Sequence, residues 1–201
     1  MTTDAVLELP PPTRLAIAYA PSDVRSAFAL LLQIDNRFAE ILRNAREPMI
    51  AQIKMAWWRE AFASPAEARP KGEPLLQALN EVGEYIPLSA LEALASAWEH
   101  LLGNERFGQE LVDVHAELRA EAIFLTYAGW MGTLQDMRPI GRIWALEALR
   151  IAFPERVADC NMPHAPLPKA RALRPLSILT MSVRTASGPR LILHALTGIW
   201  V

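Results

Sequence analysis

PSDVRSAFALLLQIDNRFAEILRN, residues 21–44, carries the strongest structural signal in the chain. Its apolar positions Ala27, Leu30, Leu31, Ile34, Phe38, Ile41 and Leu42 recur in steps of three and four, the spacing that lines one face of an α-helix. Ser22 follows a proline and is a residue type suited to capping free backbone N–H groups, so the stretch predicts a helix from about Asp23 to about Asn44. No long segment elsewhere shows the period-two alternation of a half-buried strand, and the fold class that follows is all-α.

On the N-terminal side, Pro10, Pro11 and Pro12 predict an extended lead-in over residues 1–21, because each ring fixes φ and the residue before a proline avoids the α region. On the C-terminal side, Pro48 suits the first turn of a second helix with an apolar stripe of Met49, Ile53, Ala56, Trp57 and Phe62. Pro65 and Pro70 end it. Pro74 opens a third helix through Leu75, Leu76, Leu79 and Val82, and Ser89 with Glu92 has the capping-box spacing for a fourth that reaches Leu102. A fifth segment runs from Glu105 to about Met131 with a stripe of Leu111, Val114, Leu118, Ala122 and Leu125, and a sixth from Ile140 to about Phe153. Pro154, Pro163, Pro166 and Pro168 make residues 154–175 a loop. Residues 176–201 form a basic closing segment, with helical stretches at Leu176–Arg184 and Arg190–Thr197 separated by Ser187-Gly188-Pro189. The whole, residues 1–201, reads as a single-domain helical bundle.

The chain has 201 residues, 52% hydrophobic and 21% charged, which is too apolar for a disordered protein and long enough to bury a core without a metal or disulfide staple. Its formal net charge of −2 supplies no basic field, so nucleic acid is not an expected partner. Cys160 is alone, which excludes an internal disulfide scaffold. The N-terminal residues are acidic where a secretory leader is basic, and Gln33, Asp35 and Arg37 interrupt the best candidate for a membrane span. The expected location is bacterial cytoplasm, with a peripheral position on the inner membrane as its variant.

Several side chains could carry chemistry. Asp113, Glu117 and Glu121 lie four apart and form a line of carboxylates, ordinarily a solvated or salt-bridged face and alternatively a metal site. Trp57 and Trp58 point about 100° apart, so one can pack inward while the other borders a cavity for an apolar chain. Arg25 and Arg59 carry the fork that matches phosphate oxygens and equally serves a surface ion pair. His100, His115, His164 and His194 have no metal-ligand spacing, and no neighbouring residue activates Cys160. After Asp159 no acidic residue occurs while Lys169, Arg171, Arg174, Arg184 and Arg190 are basic. That segment could dock on an anionic membrane or a membrane-associated protein, or be a solvated surface with arginine stems on the core.

The runs RSAFAL (25–30), RFAEIL (37–42) and EPMIAQIKMAWWREAF (47–62), in that order, resemble the start of the squalene/phytoene synthase family, with WWR at 57–59 carrying most of the weight. PLLQAL (74–79), YAGWMG (127–132) and Gly141 through Leu149-Arg150 add weaker support, so the resemblance spans about residues 13–155. It implies an isoprenoid-synthase fold, here truncated, with helices around a central cavity. In active members two aspartate-rich motifs on facing helices hold magnesium, which binds the diphosphates of two prenyl chains joined head to head.

This chain departs from that pattern twice. The first motif needs carboxylates four apart, whereas Asp35 and Glu40 are five apart and about 140° separated around the helix. At the second, Leu149-Arg150 is followed by Ile151 where an aspartate belongs. A branch of the family that resembles the mitochondrial complex I assembly factor also lacks these motifs and keeps a QWWR-like signature. The resemblance therefore implies a non-catalytic assembly or interaction factor without a metal or cofactor, in which Trp57 and Trp58 would line a pocket for any apolar prenyl ligand and Arg25 and Arg59 would meet its diphosphate. The alternative is an active head-to-head prenyltransferase that uses magnesium and displaced carboxylates at Glu40, Asp113 and Glu117.

Overall fold

The computed structural model describes residues 9–157, 160–161 and 163–184. Its α-helices are α1 Pro11–Tyr19, α2 Ser22–Arg43, α3 Pro48–Ala63, α4 Pro74–Val82, α5 Leu88–Glu99, α6 Gln109–Arg119, α7 Thr126–Trp130, α8 Arg138–Ala152 and α9 Arg174–Arg184. A π-helical turn, Ala120–Leu125, joins α6 to α7. Among the described residues the only extended pairing is an isolated bridge between Phe107 and Val157. The all-α reading is therefore correct.

Helix α2 is the axis of the bundle. Every residue from Ala27 to Asp35 is buried, so this helix is enclosed all round at its middle, by α1, α3, α4, α5 and the π turn. A helix in that position is best apolar on every face, which explains the unbroken apolar run AFALLL over residues 27–32. It also means that a charge placed there, Asp35, requires a buried partner.

Three expectations need correction at the N-terminal side. Residues 11–19 are helical, not extended: Pro10 takes the N-cap with φ −53° and ψ 145°, and Pro11 and Pro12 fill the first turn. The missing N–H groups there have no intrahelical acceptor to lose, so the prolines start the helix instead of preventing it. Ser22 begins α2 but does not cap it, because Pro21 is the N-cap and no side-chain cap bond forms. Similarly, Pro87 precedes α5 and displaces the expected box at Ser89 and Glu92.

The stripe expected on α3 is also corrected. Ala51, Met55, Trp58, Ala61 and Phe62 face the core, whereas Met49, Ile53, Ala56 and Trp57 are exposed. Trp58 packs against Phe38 and Phe62 with ring centroids 5.7 and 5.5 Å away. On α6 the inward face is displaced by one position from the expected stripe. Leu111, Val114 and Leu118 are only half-buried, and Val112, His115, Ala116 and Arg119 face inward.

Helix α9 closes the structure by packing on α1 and α8, with Leu176, Ile178 and Leu179 buried. Up to Arg184 the basic closing segment is thus a core helix whose apolar face is already covered. Residues 185–201, which contain the expected helix at Arg190–Thr197, lie outside the described residues. No helix among the described residues is long and apolar enough to cross a membrane.

One glycine sets a helix spacing. A Cβ at Gly141 of α8 would sit 2.7 Å from the Ala120 Cβ and 2.9 Å from the Phe124 Cγ, so α8 reaches the π turn closely only because position 141 has no side chain.

Candidate functional site

Asp35 sits at the centre of a buried polar cluster built from four helices. Arg119, the last residue of α6, donates from Nε to Oδ1 at 2.9 Å and from Nη2 to Oδ2 at 2.6 Å. Trp98 of α5 donates its indole N–H to Oδ1 at 2.8 Å. The remaining guanidinium nitrogen, Nη1, lies 3.2 Å from the Ala145 carbonyl of α8 and 3.4 Å from Nε2 of His115. The guanidinium plane is flanked by two indoles, its carbon 5.0 Å from the Trp98 ring centroid and 4.2 Å from that of Trp144. Such contacts add cation–π attraction in a desolvated setting.

His115 completes the arrangement. Burial, aided by the neighbouring Arg119 charge, holds its imidazole well below the usual histidine range, so it is neutral. Its Nδ1 lies 2.8 Å from the Ala97 carbonyl and must be the protonated nitrogen. Nε2 is then the acceptor facing Arg119. The ring stacks edge-on against Trp98 at 4.7 Å. The π turn follows Arg119 immediately, a type of helix irregularity common at functional positions.

The pair forms the floor of a cavity of about 360 Å³. Asp35, Asn36, Ala39 and Arg43 of α2 make one wall, and Trp144, Ala148, Ile151 and Ala152 of α8 the opposite one. These are the two helices on which the family resemblance places the facing aspartate motifs. The residues at those places do not fit magnesium. Four residues on from Asp35 the cavity is lined by Ala39, and across from it by Ile151, neither of which has an oxygen ligand. Asp35 itself has both oxygens engaged by Arg119 and Trp98, so a guanidinium balances the charge that a cation would. Mg²⁺ requires several oxygen ligands in near-octahedral array. Among the described residues no group of three or more His, Cys, Asp or Glu is placed to hold a metal ion.

The residues singled out from sequence lie elsewhere. Arg25 donates from Nε and Nη2 to the Ala20 carbonyl at 3.0 and 2.8 Å, closing the C-terminus of α1. Arg59 grips Glu99 of α5 with contacts of 2.7–2.9 Å and donates to the Ser96 hydroxyl at 2.6 Å. The Glu99 contact raises its pKa. Trp58 is a core residue and Trp57 an exposed one in edge contact with it at 5.2 Å. Glu40 accepts a hydrogen bond from Asn36 at 3.1 Å. Asp113 and Glu117 share Arg142, at 3.2 and 3.5 Å, on the side of α6 away from Arg119. The cavity described above is lined by none of Arg25, Glu40, Trp57, Trp58, Arg59, Asp113 and Glu117.

Sequence reading missed Trp98, His115, Arg119 and Trp144. The available signal was the four-residue step from His115 to Arg119, opposite a helix whose enclosed middle contains Asp35.

Helices packed around an enclosed central one, with a cavity between α2 and α8, define an all-α protein of isoprenoid-synthase type. The squalene/phytoene synthase family model matches residues 13–139, well over half of the chain, and the chain belongs to that family. No curated protein and no solved structure matches it.

Proposed function

We propose that this family member is not a prenyltransferase and acts as an assembly or interaction factor, complex I assembly being its most concrete form. The observation that carries the proposal is the Asp35–Arg119 pair. The one carboxylate in the cavity wall that corresponds to the first metal motif is bound by a guanidinium, with apolar residues at positions 39 and 151. Head-to-head joining depends on a metal that neutralises diphosphate leaving groups, and these walls supply no oxygen cluster for it. The assembly role, including the respiratory partner, rests on the resemblance of the WWR-bearing helix to that branch of the family. A cavity with Trp98 and Trp144 in its lining could still accept an apolar chain.

The test is calorimetric titration of the purified protein with a non-hydrolysable farnesyl or geranylgeranyl diphosphate analogue, with Mg²⁺ and with EDTA. The expected result is no magnesium-dependent binding. Tight binding that EDTA abolishes would overturn the non-catalytic reading. Affinity capture from native membranes then tests the assembly role, which fails if no respiratory-complex subunit or assembly protein is recovered.

A further inference from the structure

The cavity between α2 and α8 is graded from floor to rim. Asp35 and Trp144 lie at its floor, one wall climbs α2 through Ala39 to Arg43, and the other climbs α8 through Ala148 to Ile151 and Ala152. Eight positions separate Asp35 from Arg43, so at the rise of an α-helix the slot is about 12 Å deep. Among the described residues Asp35 is the only carboxylate in the lining, and Arg119 neutralises it. Arg43, by contrast, is exposed at the rim, and no hydrogen-bond acceptor or carboxylate among the described residues pairs with its side chain. Its guanidinium carbon lies 5.6 Å from the centroid of the Phe153 ring. Arg156 flanks the same ring at 5.7 Å, also without an ion pair, and donates from Nη2 to the Asn104 carbonyl.

Apolar walls, a neutral floor and a positive rim select an amphiphile with one anionic end. The walls and floor take a hydrocarbon tail, and the free guanidinium fork of Arg43 matches the two oxygens of a carboxylate. A diphosphate head carries more charge than one exposed arginine balances, and the lining has no oxygen cluster for a metal that would share the load. Size narrows the class further. An extended alkyl chain, with bonds of about 1.5 Å, advances roughly 1.3 Å per carbon, so a slot about 12 Å deep holds a tail of about ten carbons. The volume of about 360 Å³ lies near the lower end of the roughly 300–1,000 Å³ of small-molecule sites.

We propose that this cavity binds a medium-chain aliphatic carboxylate without a metal, its tail against the Asp35–Arg119 pair and its head at Arg43. The proposal rests on the non-catalytic reading of the same cavity and names the ligand class that this reading leaves open.

Calorimetric titration of the full chain with decanoate, octanoate and 1-decanol in EDTA is the test, with far-UV circular dichroism as the folding control for variants. Decanoate should bind one per chain, and octanoate, two methylenes shorter, about tenfold more weakly. Ala148→Trp, which fills the slot from a half-buried position, should abolish binding of both decanoate and decanol. Arg43→Met should weaken decanoate about threefold or more and leave decanol unchanged, because only the acid has a charge for the guanidinium to meet. Absence of decanoate binding overturns the proposal, as does binding that survives Ala148→Trp, or an equal loss of acid and alcohol in Arg43→Met. These failures differ from failure of the non-catalytic reading, which magnesium-dependent binding of the prenyl diphosphate analogue would produce.

Discussion

Asp35→Asn removes a charge without changing volume, and the structure specifies the consequence. With its amide oxygen in the Oδ1 place the asparagine can still accept from the Trp98 indole and from Arg119 Nε, but the Arg119 Nη2 bond is lost, the remaining one is no longer charge-assisted, and such charge-assisted bonds are worth about 1.5–3 kcal/mol each. The guanidinium is left buried between Trp98 and Trp144 without a counter-charge, its acceptors reduced to the neutral amide oxygen, the Ala145 carbonyl and the His115 ring. Breaking one side of such a pair costs about 3–5 kcal/mol, a large part of the roughly 5–15 kcal/mol that holds a domain folded. Urea denaturation followed by circular dichroism should therefore show a much lower midpoint for Asp35→Asn, and for Arg119→Met, with an unchanged slope. The double variant Asp35→Leu/Arg119→Met should recover most of the loss, since it leaves no unpaired charge. Single costs below about 1 kcal/mol, or costs that simply add in the double variant, would refute the assignment of this pair as the buried electrostatic centre.

If the guanidinium merely blocked an otherwise intact metal site, millimolar magnesium would restabilise Arg119→Met. With Ala39 and Ile151 in the facing walls, no shift in the unfolding midpoint is expected, and a clear magnesium-dependent rise would contradict the site geometry. His115 predicts a pH dependence. Its folded-state pKa is depressed below the ordinary value near 6.5, so the unfolded chain takes up a proton that the folded chain refuses. Stability should fall as pH drops below about 6.5, with a contribution approaching 1.4 kcal/mol per pH unit until the folded-state pKa is reached. His115→Gln should flatten that limb, and equal slopes in variant and wild type would discount the histidine. Gly141→Ala places a methyl 2.7 Å from Ala120 and 2.9 Å from Phe124 and should cost about 1–3 kcal/mol by overpacking, seen as a lower thermal midpoint. An unchanged midpoint would show that α8 can move away freely.

Periodicity carried the all-α class, the bounds of α2, α3, α4 and α8 to within a few residues, and the long segment expected from Glu105 to about Met131, which begins instead at Gln109 and is divided into α6, the π turn and α7. These depend on interactions three and four residues apart, and prolines at positions 48, 74 and 154 punctuate them locally. The absence of carboxylates at positions 39 and 151 was equally legible, because it is a matter of residue identity. Local information does not say which face of a helix is covered. On α3 two apolar stripes compete, and only the positions of α2 and α5 decide that Met55 and Trp58 go inward while Ile53 stays outside. The same holds for Arg119, which adjoins Glu117 in sequence but pairs with Asp35, 84 residues away. That contact exists because the tertiary arrangement encloses α2 at Asp35, and a buried carboxylate is tolerable only where another helix delivers its counter-charge.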